Sequence, residues 1–180
     1  MPKLEHALTA TIGAGFTSLT LACASNNPNP SMADDVQMLI RRSQESNAAL
    51  MRGDIDQYNS LLSLASDFTL MSPFGGEPTC GAPTSEGLER IGKFFKNGSH
   101  EQDLVHAYGS RDLVVLAIIE RARVEVGELP LQDWALRVTL VYRREGTEWR
   151  LVHRHADPLV DRISLPQAAM LARGERPEGD

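Results

Sequence analysis

Residues 112–126 read DLVVLAIIERARVEV, a stretch that is rich in β-branched residues and apolar on both faces of a β-strand. Side chains of a strand point alternately to the two sides of its sheet. One side therefore carries Val114, Leu116 and Ile118, and the other carries Leu113, Val115, Ala117 and Ile119. An antiparallel sheet normally leaves one face in water. We therefore predict that one face covers helices of the same chain and the other covers a second subunit, as in a homodimer.

The segments on either side of this stretch predict the rest of the fold. Residues 100–110, 132–145 and 148–157 are also strand-like, and short glycine-containing turns suitable for antiparallel hairpins separate the four strands. Before them, the pattern predicts helices over 34–52 and 55–65, a short strand at 67–72, and a third helix ended by Asn97-Gly98. After them, Ser164 and Gln167 form a capping box for a short helix. Helices followed by long antiparallel strands predict an α+β domain whose sheet curls around the helices.

Composition excludes several classes of function. The 180 residues carry a formal charge of −6 and have a pI near 5.4, and no cluster of Lys and Arg is present, so we expect no nucleic-acid partner. The two cysteines are too far apart in sequence to suggest a disulfide framework or a CxxC motif. There is no GxGxxG motif after a strand and no P-loop, and we predict no cofactor.

The first 33 residues differ from the rest, since no charged residue occurs from Ala7 to Ala33. They could be a secretory signal cleaved after Ala22-Cys23-Ala24, a lipoprotein signal lipidated at Cys23, or a disordered extension before a domain that starts near Met32. The run has too few Leu, Ile and Val for a transmembrane span, so no membrane partner is expected. We divide the chain into an extension or signal segment (1–33), one domain (34–160), and a short helix with a tail (161–180). We predict a cytoplasmic protein, with export as the alternative.

The segment 148–160, EWRLVHRHADPLV, contains the most conspicuous polar pattern. On a regular strand, His153, His155 and Asp157 share one face with Trp149 and Leu151. Two histidines at this spacing can converge on a metal ion, and Asp157 or Glu120 could supply a third ligand. No second cluster of Cys, His or acidic residues accompanies the single His-x-His, and we predict no metal. His155 could instead act as a general base oriented by Asp157 or by Glu120. The alternative is that the histidines are half-buried and hydrogen-bonded. We take His155, Asp157 and His153 as the candidate catalytic residues.

Other residues suggest a ligand cavity. Ser43, Ser46 and Asn47 interrupt the apolar stripe of the first helix, as in a helix that lines a cavity. Charged residues are rarely buried without partners, so Glu120 and Arg137 are predicted to form an ion pair across neighbouring strands, or else to hold a polar ligand group. The candidate ligand-binding residues are Ser46, Tyr58, Glu120, Trp134 and Arg137.

Two stretches resemble a known superfamily. Residues 51–81, which include the Pro-x-Gly-x-Glu-Pro run from Pro73 to Pro78, resemble ketosteroid isomerases. Residues 137–157, with their Trp-x-x-Val-His-x-His ending, resemble SnoaL-like proteins and the association domains of calcium/calmodulin-dependent kinases. The chain thus resembles the nuclear transport factor 2-like superfamily. This resemblance implies a cone-shaped, curved antiparallel sheet wrapped around the N-terminal helices, as in the cystatin-like roll.

The departures from these relatives limit the activity that the resemblance implies. Ser72 stands where the isomerases have an Asp base, Ser46 where they have a Tyr, and Thr139 or Leu140 where they have a second acid. Ala156 and Thr139 replace two arginines of the kinase association domains. The resemblance implies a cone-shaped pocket for a small apolar molecule, with acid/base chemistry of isomerase, lyase or hydrolase type. The alternative is a non-catalytic homodimerisation or interaction module.

Overall fold

The computed structural model describes residues 30–175 as an α+β fold. The predicted extension or signal segment, including Cys23, lies outside these residues except for its last four positions. The elements in chain order are α1 (Pro30–Arg52), α2 (Ile55–Leu61), β1 (Leu64–Met71), β2 (Thr79–Cys80), α3 (Ser85–Phe94), β3 (Phe95–Gly109), β4 (Leu113–Val126), β5 (Leu129–Glu145), β6 (Glu148–Pro158) and α4 (Leu165–Ala172).

One six-stranded sheet has the order β2-β1-β6-β5-β4-β3. The predicted α+β fold with a curved sheet is confirmed, and strands β3 to β6 form the expected antiparallel meander. The pairing of β1 differs, because β1 runs parallel to β6 and makes the sheet mixed. β1, which follows α2 in the chain, pairs with the edge of β6 that the meander leaves unpaired.

Helix α1 covers one face of the sheet, which we call the inner face. The buried side chains of this face alternate along β4 and β5 and include Val114, Leu116, Ile118, Leu136 and Leu140, with Leu39 of α1 packed against them. The other face, called here the outer face, carries Val115, Ala117 and Ile119, which are only half-buried. β4 is therefore apolar on both faces, as the sequence predicts.

Glycines on β3 allow α1 to approach the sheet closely. A β-carbon at Gly98 would lie 2.7 Å from the carbonyl oxygen of Met51 and 2.7 Å from Cγ2 of Val124. A β-carbon at Gly109 would lie 2.8 Å from the sulfur of Met32. Larger residues at these positions would push α1 away from the inner face.

A β-bulge interrupts the alternation of β6. Tyr142 of β5 pairs with Leu151, and the residue before it, Val141, pairs with His153, so Val152 of β6 has no counterpart. One extra residue reverses the faces of every residue that follows it. The prediction that His153, His155 and Asp157 share a face with Trp149 and Leu151 is therefore wrong, because the bulge lies between the two groups.

The ends of two helices test the capping patterns. α3 ends at Phe94, before the predicted stop at Asn97-Gly98, because β3 has already begun at Phe95. Asn97, with φ of 55°, instead lies where the register between β3 and β4 shifts. The capping box of Ser164 and Gln167 is confirmed at the start of α4. Among residues 30–175, no helix has both the length and the apolar character needed to span a membrane.

Candidate functional site

A cavity of about 500 Å³ lies between α1, α2, the loop after β1 and the inner face of the sheet. Its walls are mostly apolar and include Leu50, Phe68, Leu70, Leu136, Leu140 and Leu151. Aromatic contacts close one side, since the ring of Phe74 lies 5.4 Å from that of Phe94 and 5.7 Å from that of Trp134. This is the size and character of a pocket for a small organic molecule.

Arg154 places a guanidinium in this apolar wall and pairs with a buried carboxylate. Its NH1 and NH2 donate to the two oxygens of Glu120 at 2.8 and 2.7 Å. Asn47 Nδ2 of α1 donates to Glu120 Oε1 at 2.9 Å, and only 5% of the Glu120 surface is exposed. Burial alone would raise the pKa of Glu120, but the Arg154 charge and these hydrogen bonds outweigh burial and lower it. Glu120 is therefore ionised and compensates the charge of Arg154.

The bulge at Val152 explains why Arg154 reaches this site. Arg154 pairs with Leu140 of β5, whose side chain faces inward, whereas Glu120 lies on β4 and pairs with Leu136. The guanidinium thus crosses β5 to meet the carboxylate. Without the extra residue, Arg154 would point to the outer face.

Buried polar atoms without partners surround this ion pair. Ser46 Oγ, both ring nitrogens of His100 and Gln102 Nε2 lack hydrogen bonds within the described residues. Burial lowers the pKa of His100, although the nearby Glu120 carboxylate acts in the opposite direction. His100 is therefore neutral at neutral pH. An unpaired buried polar group costs about 1–3 kcal/mol, so this cluster is a costly feature of the fold.

Two tyrosines and a second arginine complete the polar part of the cavity. Burial raises the pKa of Tyr58 and raises that of Tyr142 to about 12, with Arg154 opposing both shifts. The guanidinium carbon of Arg42 lies 5.5 Å from the centre of the Tyr142 ring, and Arg42 NH2 donates to the carbonyl oxygen of Trp149 at 2.8 Å. Both tyrosines keep their protons at neutral pH and can donate hydrogen bonds.

The structure brings together some of the predicted ligand-binding residues. Ser46, Tyr58 and Trp134 line the cavity, and Glu120 lies directly behind Arg154. Arg137 does not belong to this group. It lies on the outer face, 60% exposed, with its NH2 3.8 Å from Asp157 Oδ2. The predicted Glu120–Arg137 ion pair is wrong. Arg137 pairs in register with Ile119 of the outer face, whereas Glu120 pairs with Leu136 of the inner face, so the two side chains lie on opposite sides of the sheet.

The candidate catalytic residues lie on the outer face, across the sheet from the cavity. His155 Nε2 is 3.4 Å from Asp157 Oδ2, and His153 Nδ1 is 2.7 Å from Thr69 Oγ1. A shallow depression beside His155 and Asp157 includes Thr139. A catalytic role for the three residues stays a prediction, and the inner cavity is not its location. No three His, Cys, Asp or Glu side chains in residues 30–175 are arranged as a metal site requires.

Sequence reasoning missed Arg42, His100 and Arg154. Arg154 is placed on the inner face only if the bulge is known, so alternation alone misplaces it. His100 sits at the start of a predicted strand with no motif around it. Arg42 immediately precedes Ser43, the first polar residue that interrupts the apolar stripe of α1. That interruption is the sequence feature that indicates a cavity beside Arg42.

Solved structures share this fold at low sequence identity. A nuclear transport factor 2-like superfamily protein from Salmonella enterica is 15% identical with a TM-score of 0.56, covering 72% of this chain and 94% of that chain. A nuclear transport factor 2-like protein from Streptomyces avermitilis, named as a candidate dehydratase, is 20% identical with a TM-score of 0.55, covering 72% and 99%. The association domain of CaMKII from C. elegans is 16% identical with a TM-score of 0.53, covering 72% and 99%.

These similarities show the nuclear transport factor 2-like fold and leave the activity open. No curated protein sequence matches the chain. The SnoaL-like domain family matches residues 42–161, more than half of the chain and nearly all of the sheet and cavity described above. The protein therefore belongs to the SnoaL-like domain family.

Proposed function

We propose that the protein binds a small, mainly apolar molecule in the inner cavity, with one polar group of that molecule at Arg154. The observation that carries the proposal is the cavity of about 500 Å³, whose apolar walls hold a buried guanidinium already fixed by Glu120. Apolar walls with a few placed polar groups are the usual composition of a small-molecule site. The fixed guanidinium would orient the ligand without a large ordering cost.

The polar groups of the cavity favour binding over proton abstraction. Arg154, Tyr58 and Tyr142 are hydrogen-bond donors at neutral pH, and no carboxylate or imidazole lines the cavity in the described part of the chain. Isomerase or lyase chemistry needs a basic acceptor within reach of the substrate. The proposed function is therefore ligand binding without an acid/base step in this cavity.

A neutral fluorescent probe tests this proposal. N-phenyl-1-naphthylamine should bind with a saturable rise in fluorescence. Ser46→Leu, which adds apolar bulk to the cavity wall, should weaken its affinity by about tenfold, or about 1.4 kcal/mol. Ser60→Leu is the matched control, because Ser60 is exposed on α2 and does not line the cavity. No saturable binding, or equal affinity in the two variants, would contradict the proposal.

The outer face favours a second function, homodimerisation. Half-buried Val115, Ala117 and Ile119 adjoin strongly exposed Val105 and Tyr108. Contiguous apolar surface of this kind marks a protein–protein interface, and a second copy of the chain is the simplest partner for it. We propose that two sheets pack through this face.

Sedimentation velocity tests the dimer. The wild-type protein should sediment as a dimer, and Ile119→Lys should sediment as a monomer, because a lysine would be buried in the interface. Val160→Lys, an exposed position after β6, should remain dimeric. A wild-type protein that stays monomeric at micromolar concentrations would refute the proposal.

A further inference from the structure

The charged side chains that line the cavity all have the same sign. They are Arg42, Arg90 and Arg154, and no acidic side chain of the described chain joins them in the lining. Glu120 compensates Arg154 from behind. Arg42 has no carboxylate within 4.0 Å among residues 30–175. Arg90 also has no such partner in this range, but it is exposed to solvent, so Arg42 is the one half-buried positive charge of the lining that the fold does not neutralise.

Arg42 is fixed in place by neutral partners. Its NH2 donates to a backbone carbonyl of β6 at 2.8 Å, and its guanidinium packs over the ring of Tyr142 at 5.5 Å. These contacts use only part of its hydrogen-bonding capacity, because a guanidinium carries five N–H donors. Arg42 is therefore oriented before a ligand arrives, with donors left over.

Arg42 and Arg154 act on the same end of the cavity. The guanidinium of Arg42 lies 5.5 Å from the centre of the Tyr142 ring. Arg154 pairs in register with Leu140, which is the neighbour of Tyr142 on the inner face of β5. Arg154 uses one N–H of each terminal nitrogen on Glu120, and its remaining donors are available to the cavity that it lines. Two guanidinium groups and a phenol are therefore grouped within a mostly apolar space.

We propose that the ligand is an amphipathic monocarboxylate whose carboxylate is bound by Arg42 and Arg154 and whose apolar body lies along the leucine-lined wall towards Trp134. The inference rests on the proposed binding function of the cavity and specifies its ligand class. A single carboxylate neutralises the half-buried charge of Arg42 and accepts charge-assisted hydrogen bonds from guanidinium groups. An alcohol would leave that charge unpaired, and an ammonium would add a second one, which is costly in a poorly solvated site.

A series of unbranched ligands that each contain eight carbon atoms tests which head group the cavity prefers. Octanoate, octan-1-ol, octylammonium and octyl sulfate would each be used to displace N-phenyl-1-naphthylamine from the wild-type protein at neutral pH. Octanoate should bind about tenfold more tightly than octan-1-ol, which corresponds to about 1.4 kcal/mol, and octylammonium should bind most weakly. Octyl sulfate should bind less tightly than octanoate, because a carboxylate matches the planar guanidinium fork.

Arg42→Gln tests whether Arg42 binds the carboxylate. This variant should lose about tenfold in octanoate affinity while its octan-1-ol affinity stays unchanged, so the alcohol reports that the cavity is intact. Arg41→Gln is the matched control: it changes the net charge equally, on the same helix, but Arg41 is exposed and outside the cavity. It should leave both affinities unchanged.

The outcomes separate the two proposals. Octan-1-ol binding as tightly as octanoate, octyl sulfate binding more tightly, or an equal loss of octanoate affinity in Arg41→Gln and Arg42→Gln would overturn the carboxylate assignment while the cavity remains a binding site. If neither the neutral probe nor any member of the series binds, the proposed function itself fails.

Discussion

Removing Arg154 should destabilise the fold strongly, because it leaves Glu120 buried without its main partner. The carboxylate is 5% exposed and would keep only the Asn47 hydrogen bond at 2.9 Å. It would lose two charge-assisted hydrogen bonds of 2.8 and 2.7 Å. Breaking one side of a buried ion pair costs about 3–5 kcal/mol, and we expect Arg154→Met to lower the free energy of unfolding by that amount at neutral pH. Arg154→Met combined with Glu120→Gln should recover most of the loss, since no buried charge remains.

The pKa of Glu120 determines how the stability deficit of Arg154→Met should change with pH. In the wild-type protein the pKa of Glu120 is lowered from its ordinary value, so its contribution to stability is present above the pKa of the unfolded chain and is lost in acid. Without Arg154, burial becomes the dominant influence and raises the pKa of Glu120. A carboxyl with a raised folded-state pKa favours folding at low pH. The deficit of Arg154→Met should therefore shrink as the pH falls from about 7 to about 5.

Urea unfolding followed by the fluorescence of Trp134 and Trp149 would measure these free energies. Arg137→Met is the control, because its exposed pair with Asp157 at 3.8 Å should contribute less than about 1 kcal/mol. The reasoning would be refuted if Arg154→Met were no more destabilising than Arg137→Met, or if its deficit grew in acid.

Three further variants test other features. Burial lowers the pKa of His100, so below about pH 6.5 the unfolded chain binds a proton that the folded protein does not, and the wild-type protein loses stability. His100→Gln should reduce this loss, and equal pH dependence of the free energy of unfolding in wild type and variant would contradict the reasoning. Gly98→Ala should cost about 1–3 kcal/mol, because the new methyl would overlap Val124 and the backbone of α1, and calorimetry should show a clearly lower Tm. Phe74→Ala should cost about 0.5–1.5 kcal/mol for each lost aromatic contact and shift the emission of Trp134, and an unchanged spectrum would argue against the contact.

Local patterns in the sequence predict much of the fold. The capping box at Ser164, the doubly apolar β4 and the hairpin turns depend on neighbouring residues, and the structure contains all three. α3 was predicted too long, since its helical pattern ran on into residues that pair with β4. Pairing with a distant strand decided that boundary, and no local signal reports it.

The site was less accessible from the sequence, because it depends on strand register. Alternation along β6 predicted that the histidines share a face with Trp149 and Leu151, and one unpaired residue at Val152 reversed this. Glu120 was correctly singled out as a charge on an apolar strand, but its partner lies on β6, beyond the adjacent strand β5. An arginine long enough to cross an intervening strand cannot be identified from nearest-neighbour pairing.

The bulge at Val152 has an evolutionary consequence. Loss of that single codon would restore regular alternation, carry His153 and His155 into the cavity, and turn Arg154 out to the opposite surface. The interior would then offer imidazoles, which can accept a proton, in place of a permanently charged donor. A single in-frame deletion would therefore convert a carboxylate-binding cavity into one equipped for proton transfer. The β5–β6 hairpin and its turn would stay intact.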